Sequence, residues 1–192
     1  MLNDARFILV ALSLTLFSFT CNKDSASTDD NTISDALHMS FTTPDWSKFI
    51  NCDLLNLYPS YINDSTTMVS ATSASTKETF YFSIPVDSSG MMKSGNLRKY
   101  AIHDYGNNAA PFEFSQKLPL TEGGSTYLVS EYGLSDSSYN EVAAIRYLGS
   151  ETNYALFDVK CRYKMVMYEN PTIQNRKNVS GTFNFKVRAL RK

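Results

Sequence analysis

The stretch at residues 179–190, VSGTFNFKVRAL, places Val179, Gly181, Phe183, Phe185, Val187 and Ala189 at one parity and Thr182, Asn184, Lys186 and Arg188 at the other. Successive residues of a strand point to opposite faces, so this pattern predicts a strand with one buried and one wet face, the habit of antiparallel sheets. ALFDVKCRYKMVMY behaves in the same way: Phe157, Val159, Cys161, Tyr163, Met165 and Met167 point inward, and Asp158, Lys160, Arg162 and Lys164 point outward. No stretch of the body shows apolar residues at helical spacing. Further strands are predicted at 67–73, 78–86, 98–103, 112–116, 126–131 and 141–148, separated by turn-forming stretches such as DSSG, YGNN, EGG, LSDSS and GSETN. The expected fold class is all-β. It is a single antiparallel β-sandwich or partly open barrel of about eight strands, spanning residues 38–192.

The first 20 residues behave differently. Residues 7–19 carry no charge and end at Cys21, Asn22, Lys23 and Asp24, which matches the length of a signal-peptide apolar region. As a helix, the 14 residues 7–20 would reach only about 21 Å, too short for a hydrocarbon core of roughly 30 Å. Ser18, Phe19 and Thr20 before Cys21 resemble the relaxed lipobox of Bacteroidetes-type lipoproteins. The expectation is therefore a lipoprotein signal peptide over 1–20 and a lipid on Cys21, fastening the chain to a bacterial outer membrane on its periplasmic or outer side; conventional cleavage and secretion is the alternative. Residues 22–35, NKDSASTDDNTISD, are too polar to bury apolar area, so 21–37 reads as an acidic tether. Asp29, Asp30 and Asn31 lack the spacing of a calcium loop.

Formal net charge is −1, and loss of a leader carrying Arg6 and Asp4 leaves it unchanged. Bulk charge thus gives no reason to expect a nucleic-acid partner. Removal of residues 1–20 leaves 172 of 192 residues, enough for one domain with a sizeable core.

The order of Trp46, ETFYFSIP, SGNLRKY and VSGTFNFKV along the chain resembles that of uncharacterised β-rich Bacteroidetes lipoproteins. The resemblance implies the β-fold and the envelope location. It carries no active site to transfer.

No nucleophile elbow, phosphate loop, dinucleotide fingerprint or cysteine pair at zinc spacing is present, so no catalytic residue, metal or cofactor is assigned. His103 and Asp104 are adjacent on a strand and point to opposite faces, so neither orients the other. His38 is the one other histidine. Glu78, Glu113, Glu122, Glu131 and Glu141 could include a glycosidase-like pair, the alternative enzymatic reading, or be solvated strand-end acids. If Cys21 is lipidated, Cys52 and Cys161 remain; they either pair or stay buried free thiols. Tyr132 and Tyr139 flank GLSDSS and either pack down on the domain or form an exposed aromatic platform. Pairing of the last two strands would gather Lys160, Arg162, Lys186 and Arg188 on one face. That face is either an ordinary solvated surface or a platform for an anionic polysaccharide, lipid headgroup or acidic protein partner. The functional expectation is a membrane-anchored, non-enzymatic β-domain that binds a ligand or partner.

Overall fold

The computed structural model describes residues 33–75, 77–171 and 175–192. Residues 1–20, where a signal peptide is expected, Cys21, and Asp29, Asp30 and Asn31 lie outside the described residues.

The two alternating segments form the longest strands, β10 (Tyr154–Asn170) and β11 (Arg176–Leu190), paired antiparallel from Tyr154↔Leu190 to Tyr168↔Arg176. β11 is flanked by β1 (His38–Thr42), and β1 by β2 (Ser47–Asn51). The far edge of β10 is shared. Its first part pairs with β9 (Tyr139–Ser150) and its last part with β8 (Tyr127–Ser130). From β8 the sheet continues through β7 (Phe114–Pro119), β5 (Thr79–Pro85), β4 (Thr66–Thr72) and β3 (Ser60–Asn63), while the two-residue β6 (Lys99–Tyr100) borders β9. The result is one open antiparallel sheet of 11 strands.

The sheet curls until the inner faces of β5 and β7 pack on β10 and β11. Phe80 stacks on Phe185 at 4.5 Å, Phe82 meets Phe183 at 5.0 Å, and Phe114 meets Phe183 at 5.0 Å and Tyr163 at 4.8 Å. The inward parity expected for both long strands is the buried one. Two outward residues depart from the pattern: Asp158 is buried where Arg146 of β9 crosses to it at 2.9 Å, and Asn184 is buried under the segment ahead of β1.

Gly181 allows the closest approach in this region. Opposite it, the Tyr163 hydroxyl passes over β11 to donate to the Ser40 carbonyl of β1 at 2.9 Å. A Cβ at 181 would lie 2.0 Å from that carbonyl and 2.6 Å from the hydroxyl.

The all-β expectation is met with eleven strands in place of about eight. β1, β2 and β3 were not anticipated: HMSFT alternates but over only five residues, SKFIN carries apolar side chains at both parities, and SYIN is very short. The described chain is also packed ahead of residue 38: the Asp35 carbonyl accepts from Asn184 Nδ2 at 3.0 Å, and Leu37 lies against the core.

Candidate functional site

The cations of the last two strands do not form an unmatched platform. In register, Lys160 faces Asn184, Arg162 faces Thr182, Lys186 faces Asp158 and Arg188 faces Leu156, so no two of the four lie directly opposite. Lys160 pairs with Asp35, Arg162 with Glu141 at 3.6 Å, and Arg188 clasps Glu151 through two contacts of 2.9 and 3.0 Å. Arg188 also donates to Asn56 Oδ1 at 2.7 Å and lies over the Tyr58 ring. Lys186 is the exposed member of the set.

Cys52 and Cys161 are both buried and free; burial pushes the Cys52 thiol up to about 12 and raises Cys161 as well. The aromatic platform is corrected. Tyr132 is 59 % exposed and Tyr139 only 8 %, its ring covered by Lys99 Nζ at 4.2 Å. Asp104 accepts from the Tyr132 amide at 2.9 Å and leaves His103 alone. His38 is buried, with Nδ1 2.8 Å from the Ala36 carbonyl and Nε2 2.8 Å from Thr182 Oγ1; burial lowers its pKa.

The five glutamates have separate partners. Glu122 pairs with Lys48 and Glu131 with Arg176, while Glu113 braces the amides of Ala109 and Ala110 at 2.7 and 3.0 Å. Glu78, immediately before β5, is buried; its Oε1 accepts from Gln116 Nε2 at 2.6 Å, its Oε2 has no partner, and burial pushes its carboxyl up to about 8.

A concavity lies elsewhere, at the end of β5. DSSG, read in sequence as a turn, folds as the single helical turn α1 (Ser88–Met91), capped by Asp87, which accepts from the Gly90 amide at 2.9 Å. Asn96 Nδ2 then donates to the carbonyls of Gly90 and Met91, both at 2.9 Å, and the Tyr100 hydroxyl donates to the Asn96 carbonyl at 3.1 Å. These bonds hold residues 87–100 as one wall of a cleft of about 610 Å³. Its floor is Pro85, Val86, Tyr100 and Phe112. Phe112 has φ +64°, a conformation that costs a bulky residue on the order of 1–3 kcal/mol. The residue is held there by its N–H, which donates to the Ser83 carbonyl at 2.8 Å, by Asn140 Nδ2, which donates to its carbonyl at 3.0 Å, and by its ring packed on Tyr100.

The cleft carries Lys93, Arg98 and Lys192 against Asp64 and Asp87. Lys192 Nζ lies 2.6 Å from Asp87, and together with Ser89 and Gly90 it holds that carboxyl well below the usual carboxylate range. Asp64 accepts from the Tyr61 hydroxyl at 2.6 Å. Arg98 lies over the Tyr100 ring at 4.8 Å. Among the described residues, neither Lys93 nor Arg98 has a carboxylate partner. With Asp87 matched by Lys192, the lining keeps Lys93 and Arg98 against Asp64, a surplus of one positive charge over an apolar and aromatic floor, which suits an acidic group on a partly apolar ligand. Sequence reasoning missed this site. Its local signal is the basic run in MMKSGNLRKY, whereas Pro85, Phe112 and Lys192 come from other parts of the chain.

Comparison of the chain with protein-family models, with curated proteins and with solved structures found no match.

Proposed function

We propose that this chain is a lipoprotein of a bacterial cell envelope, akin to the Bacteroidetes lipoproteins its motifs resemble. Cys21 anchors it to the outer membrane, and its β-domain binds, without catalysis, a ligand bearing an acidic group. The observation that carries the binding reading is the pair Lys93 and Arg98 beside the cleft floor, neither of them ion-paired to a carboxylate among the described residues. It replaces the β10–β11 face, whose cations are largely matched, as the place where an anionic glycan or acidic partner group is held. Binding is favoured over hydrolysis by the state of the cleft's acids. Asp87 is committed to the α1 cap and Lys192 and stays ionised, so it is a poor proton donor.

Titration of the full chain at low salt with monomeric and oligomeric galacturonate and with short alkanoates tests the reading. The wild-type chain is expected to bind at least one of these acids more weakly as salt rises. Lys93→Gln with Arg98→Gln is expected to weaken that binding by roughly tenfold or more, because hydrogen bonds to charged groups contribute about 1.5–3 kcal/mol each. Failure of the parent to bind any of them, or equal binding by the double variant, overturns it.

A further inference from the structure

Beside the cleft lies a second concavity of about 300 Å³, and the two share Lys93 and Asn96. Met91 and Phe157, both buried, form the floor of this groove. Its walls are Ile145 and three side chains that stay largely in solvent: Met92 is 63 % exposed, Leu97 58 % and Tyr147 54 %. Lys93, at the junction, is the one charged residue of the lining. The surface therefore runs from a cleft with a surplus of positive charge, where Lys93 and Arg98 have no ion-paired carboxylate among the described residues, to an apolar trough.

We infer that cleft and groove form one site for a single-chain amphiphile, its acidic head against Lys93 and Arg98 and its alkyl chain along Met92, Leu97 and Tyr147. The inference rests on the cleft binding an acidic group, as proposed above, and names the class of ligand.

The match in charge fixes which end of the ligand lies where, and the form of the groove selects an alkyl chain over a peptide. A peptide needs partners for its amides, yet Asn96 Nδ2 is already donating to two carbonyls of α1. Strand addition to β9 is blunted as well. The pairing of β9 with β10 shifts register twice, between Leu156 and Phe157 and between Lys160 and Cys161, and such bulges twist an edge away from further pairing. An alkyl chain makes no such demand and gains by covering exposed Met, Leu and Tyr surface. A floor of buried side chains also favours an inserted chain over contact with a flat membrane surface.

The test is calorimetric titration of the full chain carrying Cys21→Ser, in detergent-free buffer, with n-alkanoates of four to twelve carbons below their micelle concentrations and with the matching n-alkanols. Alkanoate affinity is expected to rise two- to fourfold per methylene, fourfold being about 0.8 kcal/mol, and each alkanol is expected to bind at least tenfold more weakly than its alkanoate. Leu97→Asp and, separately, Met92→Ser, both at exposed positions, are expected to flatten the dependence on chain length. Lys93→Gln with Arg98→Gln is expected to weaken every alkanoate.

Short and long alkanoates binding alike would overturn the amphiphile while leaving the acidic-group reading intact. Alkanols matching alkanoates would remove the head contact and overturn both. Binding to anionic phospholipid vesicles without binding of free alkanoates would make the surface a membrane contact, and would overturn the single-chain site.

Discussion

The β10–β11 face and the cleft are both rich in lysine and arginine, and they differ in the supply of counter-charge. On the hairpin, Lys160, Arg162 and Arg188 meet Asp35, Glu141 and Glu151, because neighbouring β9 and the segments flanking β1 and β10 deliver acids beside the long strands. In the cleft, Asp87 is occupied by Lys192 and Asp64 accepts from Tyr61, and neither Lys93 nor Arg98 is ion-paired to a carboxylate among the described residues. A run of cations is thus a poor guide to a binding surface. What matters is whether the fold brings acids to them. The regions differ in packing too. Beneath the hairpin's charged face lies a closed aromatic core, whereas the cleft leaves Pro85, Tyr100 and Phe112 lining open space.

The sharpest way to break this comparison is to disturb the closed side. Gly181→Ala puts a methyl group into the Ser40 carbonyl and the Tyr163 hydroxyl, and is expected to cost more than about 3 kcal/mol by urea unfolding. A loss below about 1 kcal/mol would mean that the hairpin's inner face is no more closely packed than the cleft.

Glu78 supplies the next effect, and its sign is opposite to that of Asp87. Its folded pKa of about 8 lies above the ordinary glutamate value of 4.5, so the folded state holds the extra proton across that window. Its contribution is full below about 4.5, falls as pH rises and is lost above about 8. The linked loss is a few kcal/mol and at most about 5. Glu78→Gln should remove this slope and be more stable than the parent at pH 8, as measured by urea unfolding at pH 5 and pH 8. An unchanged slope would place the pH dependence elsewhere. Asp87, with its pKa lowered from 3.8, contributes stability above that value and loses it only as pH falls further.

The smallest effect sharpens the contrast directly. Lys186→Gln, on the exposed hairpin face, should change stability by less than about 0.5 kcal/mol and leave alkanoate affinity within twofold of wild type. A loss of affinity comparable to that of the Lys93 and Arg98 double variant would return the hairpin face to the binding surface.

The sequence was most informative where one face of a strand is dry and the other wet, as in β10 and β11, because burial then writes itself as alternation. It was least informative for β2, which carries apolar residues at both parities: Phe49 is exposed and stacks on buried His38, while Ile50 packs toward the core. Glu78 read as a solvated acid because residue type reports the usual environment, and only the curl of the sheet buries it. Tyr139 read as a loop aromatic, but it opens β9 beneath Lys99.

By itself the sequence determined the all-β class and the faces of the long strands, since alternation is a local consequence of backbone geometry. It also carried the case for an anchored envelope protein, which rests on residues 1–37 rather than on the fold. Only the tertiary structure decided which cations are matched, that the two cysteines are buried free thiols, and that residues 64, 85, 98, 112 and 192 meet around one cleft. The reason is physical: charge pairing, burial of a carboxyl and the walls of a cavity depend on groups many residues apart, and no periodicity in the chain encodes which of them come within a few ångströms.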